Sequence, residues 1–386
     1  MSNKFVKNLS FMFAFLCVAT SIVISPLLGV ELPLKAQSAI LIEANNGNIL
    51  YEKDSHKVLY PASMTKIMTL VLAMEALDTG KISMDDVVTA SENAASYGGS
   101  QIFLAPGEKL TVKELLLGIA LASGNDAAVN LAEYIAGSHE EFVKQMNNKA
   151  KELGMKDTNF VNCNGLHDPN HKTTAYDFSL LAKYALNFPE LLNICKVKHY
   201  RIRTDTDRPF QYDNKNKLLW FYPGTDGFKT GWTEDAKYCF TGTCERNGLR
   251  LISVVMGVPV PKGHFSETQI LFNYGFSQFF YKEFYNEEEV IGKVNVGKGK
   301  ISVVEAVPKN KVGITLAKGD DKKLSISIEL PSLIDAPVNK GQTLGKVSIL
   351  KEGELVEQVK LVAKDEVPKC SLWQTTKKVF INLMFN

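Results

Sequence analysis

The chain has 386 residues, 45% of them hydrophobic, enough to bury more than one core, so two domains are expected. Lys and Arg number 44 against 42 Asp and Glu, a net charge of +2, and no long block of like charge occurs. That balance excludes a nucleic-acid footprint, and five arginines (Arg201, Arg203, Arg208, Arg246 and Arg250) are too few for a surface that reads phosphate or carboxylate through bidentate guanidinium contacts.

The N-terminus reads as an export signal. Lys4 and Lys7 precede an almost uninterrupted apolar run from Leu9 to Val30, and small residues such as Ala36 follow. Cleavage near Ala36 is expected, which makes residues 1–36 a signal peptide; a retained membrane helix is the alternative, and either places the remainder outside the cytoplasm. No typical lipobox surrounds Cys17.

Beyond it, Ala39–Ile42 and Ile49–Tyr51 are β-rich runs flanking Asn45-Asn46-Gly47, the pattern of a hairpin. From Ser63 to Leu77 the chain is apolar nearly all round without Gly or Pro, which predicts a buried helix. Thr111–Ala136 reads as two helices broken at Ser123-Gly124-Asn125, and Glu140–Leu153 and Tyr176–Leu186 as two more. Strands return at Tyr238–Cys244 and Leu249–Met256, joined by a tight turn at Asn247-Gly248. Strands at both ends with helices between predict one sheet built from the two ends of the domain and covered by helices.

After about Phe276 the runs become short and alternating: Ile301–Val307, Leu324–Leu330, Val347–Leu350 and Val356–Val362. They predict a small all-β domain over 276–365, a sandwich without chemistry of its own. A linker around Lys364–Lys369 leads to a last segment, 366–386, in which Leu372, Trp373, Thr376, Val379, Phe380, Leu383 and Met384 share one helical arc. Too short and polar to span a bilayer, it is expected to lie on a membrane surface; docking on the chain's own β domain is the alternative.

Cys163, Cys195, Cys239, Cys244 and Cys370 are odd in number, so at least one lacks an intramolecular partner. Cys239 and Cys244, five apart in a strand, should face opposite sides and not bridge. The six His show no ligand spacing, and neither a metal site nor any cofactor is expected.

Three short motifs occur in order: Ser63-Met64-Thr65-Lys66, Ser123-Gly124-Asn125 and Lys229-Thr230-Gly231. Each alone is weak. The first spacing recurs at Ser348–Lys351 and the second at Ser91-Glu92-Asn93, as the roughly one or two chance matches expected from composition would produce. Context separates them. Ser63 opens the buried helix, where an N-cap serine is the plain structural alternative. An alcohol needs a base, however, and Lys66 lies three residues on, on the same helix face. A lysine on so apolar a helix has no evident structural use, and burial would lower its pKa until it serves as a neutral base. Ser123 would relay a proton between Lys66 and a leaving amine. The Asn125 amide would either bind substrate backbone or hold Lys66. Lys229 and the Thr230 hydroxyl would bind an anionic terminus, Gly231 would leave room for an approaching peptide, and the peptide would add as a strand at the sheet edge. Backbone N–H groups of Ser63 and Trp232 would form the oxyanion hole.

The wider strings Pro61-Ala62-Ser63-Met64-Thr65-Lys66, Ala122-Ser123-Gly124-Asn125-Asp126-Ala127 and Asp226-Gly227-Phe228-Lys229-Thr230-Gly231-Trp232-Thr233, together with Asn164-Gly165-Leu166, resemble the low-molecular-mass penicillin-binding proteins of the serine D-alanyl-D-alanine carboxypeptidase family. The likeness covers roughly residues 37–275, and the β domain and terminal amphipathic segment match the family's usual arrangement. It implies an α+β fold, an antiparallel sheet flanked by helices with a helical subdomain; removal of the terminal D-alanine from peptidoglycan pentapeptide stems through an acyl-enzyme on Ser63; and acylation by β-lactams. Trp232 stands where the family often carries His or Tyr. A class A β-lactamase shares the motifs but needs a carboxylate to activate water. Glu190-Leu191-Leu192-Asn193 resembles that element, one residue short and nearer Lys229 than Ser123. A non-catalytic penicillin sensor is the third reading, disfavoured because no cytoplasmic signalling domain is recognisable.

Overall fold

The computed structural model describes residues 30–204, 206–321 and 324–371. The apolar N-terminal run up to residue 29 and the arc from Leu372 onward, with the signal and membrane-surface readings placed on them, lie outside the described residues.

The centre is a five-stranded antiparallel sheet in the order Ile49–Lys53, Ser38–Glu43, Leu249–Val258, Lys237–Arg246, Thr225–Thr233. It is built from both ends of the catalytic region, as the placement of the β-rich runs required. Alternation divides its side chains between two cores. Ile40, Ile42, Ile252 and Val254 face a large helical layer; Ala39, Leu41, Leu251 and Val255 face the helix Gly263–Gln278 through Leu271 and Phe272. Cys239 and Cys244 fall in opposite cores, and all five described cysteines are free.

The helical layer is organised by local signals. Thr111 and Glu114 form a reciprocal capping box before Val112–Leu117. Ser138 and Thr174 accept the backbone N–H groups of Glu141 and Asp177, starting His139–Glu152 and Ala175–Ala185. The apolar stretch after Ser63 is a short 3₁₀ turn, Ala62–Thr65, followed by the helix Lys66–Asp78. Nine consecutive residues from Lys66 to Met74 are buried, as an all-round apolar helix demands.

A six-stranded sheet (Leu324–Glu329, Thr343–Lys351, Glu354–Ala363, Val303–Pro308, Gly292–Gly297, Leu333–Asp335) and a two-stranded one (Phe279–Tyr285 with Val312–Ala317) make up the all-β C-terminal region. Val294, Val304, Ile314, Val347, Ile349 and Leu361 form its core. Alternation in the sequence located only part of this, because Phe279–Tyr285 and Gly292–Gly297 mix aromatic, Lys and Gly residues without a clean period.

Three boundaries differ from the sequence reading. Leu34 and Ala36 are buried, and the Ala36 N–H donates to Glu267 Oε2 at 2.8 Å, so packing does not change at residue 36. The helix ending the catalytic region runs past 275 to Gln278. Residues 364–371 are neither linker nor the start of a helix. Val367 is buried and exchanges backbone hydrogen bonds with Val338, and the Cys370 N–H donates to Lys298 O. Backbone hydrogen bonds to the β region, with one buried valine, pin a segment whose composition reads as a spacer.

Candidate active site

The turn Ala62–Thr65 presents Ser63, partly exposed, at the mouth of a cleft of about 1170 Å³. One helical turn on, the Lys66 side chain is fully buried. Its Nζ lies 3.1 Å from Ser63 Oγ, 2.6 Å from Asn125 Oδ1 and 2.6 Å from the Asn164 carbonyl oxygen. No carboxylate is among those partners. Burial is the main reason its pKa falls from the usual lysine range to about 7; the nearby Lys215 charge pushes the same way, while Cys163 and Asp126 oppose it.

Ser123-Gly124-Asn125 reaches this amine because the helix Val112–Leu117 continues as a π-turn over Gly118–Ala122 and then breaks. Ser123 sits in the left-handed region, φ 66° and ψ 32°, and Asn125 opens the next helix. Such wide turns collect at functional sites. Ser123 Oγ is buried without a hydrogen-bond partner and lies on the cleft wall. Asn125 is committed at both ends of its amide, Oδ1 to Lys66 and Nδ2 donating to Gly98 O at 2.7 Å. Of the two roles the sequence allowed it, the structure shows the hold on the lysine; a second Nδ2–H and a second Oδ1 lone pair are left over for substrate backbone.

Thr225–Thr233 is the terminal strand of the sheet and packs beside the Ser63 turn. The sequence placed Lys229 before the strands; it lies instead in the middle of this nine-residue strand, disguised by its Gly, Asp and Thr content. Thr230, Gly231 and Trp232 line the cleft with Ser63, Ser123 and Lys215, and Trp232 is 57% exposed. Lys229 lies beneath that wall. It is buried, its Nζ donates to Thr230 O at 3.2 Å, and burial together with the charges of Lys66 and Lys215 holds its pKa well below the ordinary lysine value. Thr230 is the member of this pair that faces the cleft. Gly231 has a reason the sequence did not show. A Cβ there would stand 2.8 Å from Pro61 O and 3.1 Å from Met64 N, so the missing side chain is what lets the edge strand close on the Ser63 turn.

Residues 28–260 match the family model for D-alanyl-D-alanine carboxypeptidase, and residues 279–369 match the model for the penicillin-binding protein 5 C-terminal domain. This chain belongs to the D-alanyl-D-alanine carboxypeptidase family. Among curated relatives, D-alanyl-D-alanine carboxypeptidase DacF of Bacillus subtilis (strain 168) is 46% identical over 340 residues, covering 88% of this chain and 87% of that protein. Among solved structures, penicillin-binding protein 5 from Haemophilus influenzae superposes with a TM-score of 0.69 at 34% identity, over 88% of this chain and 100% of the other. Penicillin-binding protein D2 from Listeria monocytogenes, solved in an ampicillin-bound form, gives 0.58 at 33% identity over 64% of this chain and 100% of the other.

In this carboxypeptidase the element resembling a β-lactamase carboxylate is misplaced: Glu190 is exposed at the start of the helix Pro189–Cys195, hydrogen-bonded to Asn193, and absent from the cleft wall. Other site residues escaped the sequence reading. Lys215, whose Nζ donates to Ser100 Oγ at 2.7 Å, belongs to no motif, and burial lowers its pKa. Asn164 belonged to a string noticed only by resemblance, and it contributes a backbone carbonyl, which no side-chain pattern encodes. Asp126 is buried and accepts the N–H groups of Ile102 and Leu104, fixing the segment whose Ser100 carbonyl receives the Asn125 N–H. An aspartate following a Ser-x-Asn triplet in an apolar stretch was a usable signal.

Proposed function

We propose that Ser63 is the acylated nucleophile of a D-alanyl-D-alanine carboxypeptidase acting on peptidoglycan pentapeptide stems, with Lys66 as its base. One observation carries this reading: the Lys66 amine has fixed acceptors, Asn125 Oδ1 and Asn164 O, on two sides and Ser63 Oγ on the third. A neutral amine has two N–H donors and one lone pair. With both donors taken, the lone pair is directed at the Ser63 hydroxyl, and a pKa near 7 leaves the neutral form well populated.

Ser63 Oγ attacks the carbonyl of the penultimate D-alanine while its proton passes to Lys66. Backbone N–H groups of Ser63 and Trp232 receive the negative charge on the carbonyl oxygen. The unpartnered Ser123 hydroxyl then hands the proton to the departing D-alanine amine, and water releases the shortened peptide from the ester. Thr230 hydrogen-bonds the terminal carboxylate, and the Lys229 amine beneath it, bonded to the Thr230 carbonyl, takes up its charged form as the anion arrives. The peptide lies along the open side of the edge strand Thr225–Thr233. A β-lactam presents the same carbonyl and carboxylate and traps the ester. The ampicillin-bound relative supports this.

The work takes place outside the cytoplasm, on the wall side of the membrane, after an export signal is cut upstream of Leu32 so that the buried contacts of Leu34 and Ala36 survive. The segment from Leu372 lies on the membrane surface. Among the described residues no helix is long and apolar enough to cross a membrane.

Mass spectrometry after brief exposure to penicillin, paired with an assay of D-alanine release from a pentapeptide, tests the proposal. A long-lived adduct on Ser63 with D-alanine release is expected. An adduct on another serine, rapid penicillin turnover, or labelling without D-alanine release would overturn it.

A further inference from the structure

Ala62, immediately before Ser63, has φ +47°, a left-handed conformation that is strained for a residue with a Cβ. The fold holds it there through its carbonyl. Thr65 Oγ1 donates to Ala62 O at 2.8 Å, and the His171 ring nitrogen Nε2 lies 2.7 Å from the same Thr65 oxygen. His171 Nδ1 accepts the Val161 N–H at 3.1 Å. The directions in this chain are therefore determined. A ring whose Nδ1 accepts must carry its proton on Nε2, so Nε2–H donates to Thr65, and Thr65 spends its own proton on Ala62 O. Burial keeps the ring in that neutral form, lowering the pKa of His171 to about 4.

The other end of the chain matters as much. Val161 opens the segment that runs through Cys163, whose carbonyl accepts the Thr69 hydroxyl at 2.6 Å, to Asn164, whose carbonyl accepts from Lys66 Nζ. Gly165, at φ +81°, presses on Ala62 O from the same segment; a Cβ there would stand 1.9 Å from that oxygen. His171 thus grips two pieces separated in sequence: the turn that carries Ser63 and the segment that fixes the Lys66 amine.

We propose that His171, acting through Thr65, is a positioning residue for acylation, locking the Ser63 turn against the Val161–Gly165 segment so that Oγ meets the Lys66 amine. The inference rests on Ser63 and Lys66 as nucleophile and base, and it touches neither directly. A misplacement of about 1 Å between reacting atoms costs about 100-fold in rate.

The experiment compares full-length Thr65→Val, Thr65→Ser, His171→Phe and the Thr65→Val/His171→Phe double variant with the parent. Penicillin acylation is followed by stopped flow, to separate the acylation rate constant from the affinity of the preceding complex, and the modified serine is located by mass spectrometry. Thr65→Val should lose about 100-fold in the rate constant with little change in affinity. Thr65→Ser should recover most of the rate, and the double variant should lose no more than the worse single one, because both remove the same chain. In parallel, the ring ¹⁵N resonances of His171 in the parent, assigned through bonds, should show the neutral Nε2–H tautomer at pH 7. Normal acylation by folded Thr65→Val, additive losses, or a charged or Nδ1–H ring would sink this inference while leaving Ser63 as nucleophile; the ring measurement decides even where a variant does not fold. An adduct away from Ser63 in the parent would instead remove the reading beneath it.

Discussion

Lysine does opposite work in the two halves of this protein. In the C-terminal β region, Lys293, Lys298, Lys346 and Lys364 sit at the surface beside Glu305, Asp335, Glu329 and Glu305. Each such pair is solvated and contributes about 0–1 kcal/mol. In the catalytic half, Lys66 and Lys229 are buried with no salt-bridging carboxylate among the described residues; the Lys66 charge helps to lower the Lys229 pKa, and Lys215 lowers both. Surface pairs keep lysine charged and cost the fold little. A buried cluster disfavours every charge it contains, which brings the Lys66 amine close to losing its proton near neutral pH, while an anion arriving beside Lys215 and Lys229 would favour their charged forms.

Breaking the catalytic side of that contrast should have the largest effect. Ser63→Ala should abolish the penicillin-dependent mass increase altogether, and a residual adduct would move the nucleophile elsewhere. Lys66→Met, which keeps the volume and removes the amine, should slow acylation by about 10²–10⁴; a rate within a factor of ten of the parent would remove Lys66 as base.

A subtler change sharpens the comparison by giving the buried lysine what the surface lysines have. Asn125→Asp places a carboxylate on Lys66 Nζ, favouring its charged form. The parent's acylation rate should rise with pH through about 7, as Lys66 loses its proton. In Asn125→Asp that rise should move to higher pH, read from a rate profile between pH 5 and 10. A shift to lower pH, or none, would separate the lysine from the profile.

Gly231→Ala should loosen the edge strand from the Ser63 turn. Its Cβ meets Pro61 O at 2.8 Å, an overpacking that costs roughly 1–3 kcal/mol of stability and slows acylation. Thermal unfolding and labelling rate measure both. The smallest effect belongs to the β region: Lys346→Ala, which removes the exposed partner of Glu329, should change stability by less than about 1 kcal/mol and leave acylation untouched. A larger effect would mean that surface pairing matters more here than solvation allows.

Several of these features were legible in one dimension. Ser63 and Lys66 are one helical turn apart, so their meeting follows from local geometry, and the apolar residues around them announced the burial that lowers the lysine's pKa. The two sheet-forming ends, the run of helices between them and the opposed Cys239 and Cys244 likewise follow from periods of 3.6 and 2. The Asn164 carbonyl, Lys215 and the His171–Thr65 chain were not legible. They meet the site across 98, 115 and 106 residues, through backbone atoms or through side chains that belong to no motif.

Residue type and local spacing by themselves determined which groups could do chemistry and which segments had to be buried. The tertiary structure alone decided which atoms spend each hydrogen bond. It bonded the Asn125 amide to Lys66 and Gly98, set Lys229 beneath the wall instead of on it, gave Gly231 its purpose against Pro61, and pinned residues 364–371 by backbone hydrogen bonds and the burial of Val367. The physical reason is that donors, acceptors and close contacts are satisfied in three dimensions, between partners whose separation along the chain carries no signal.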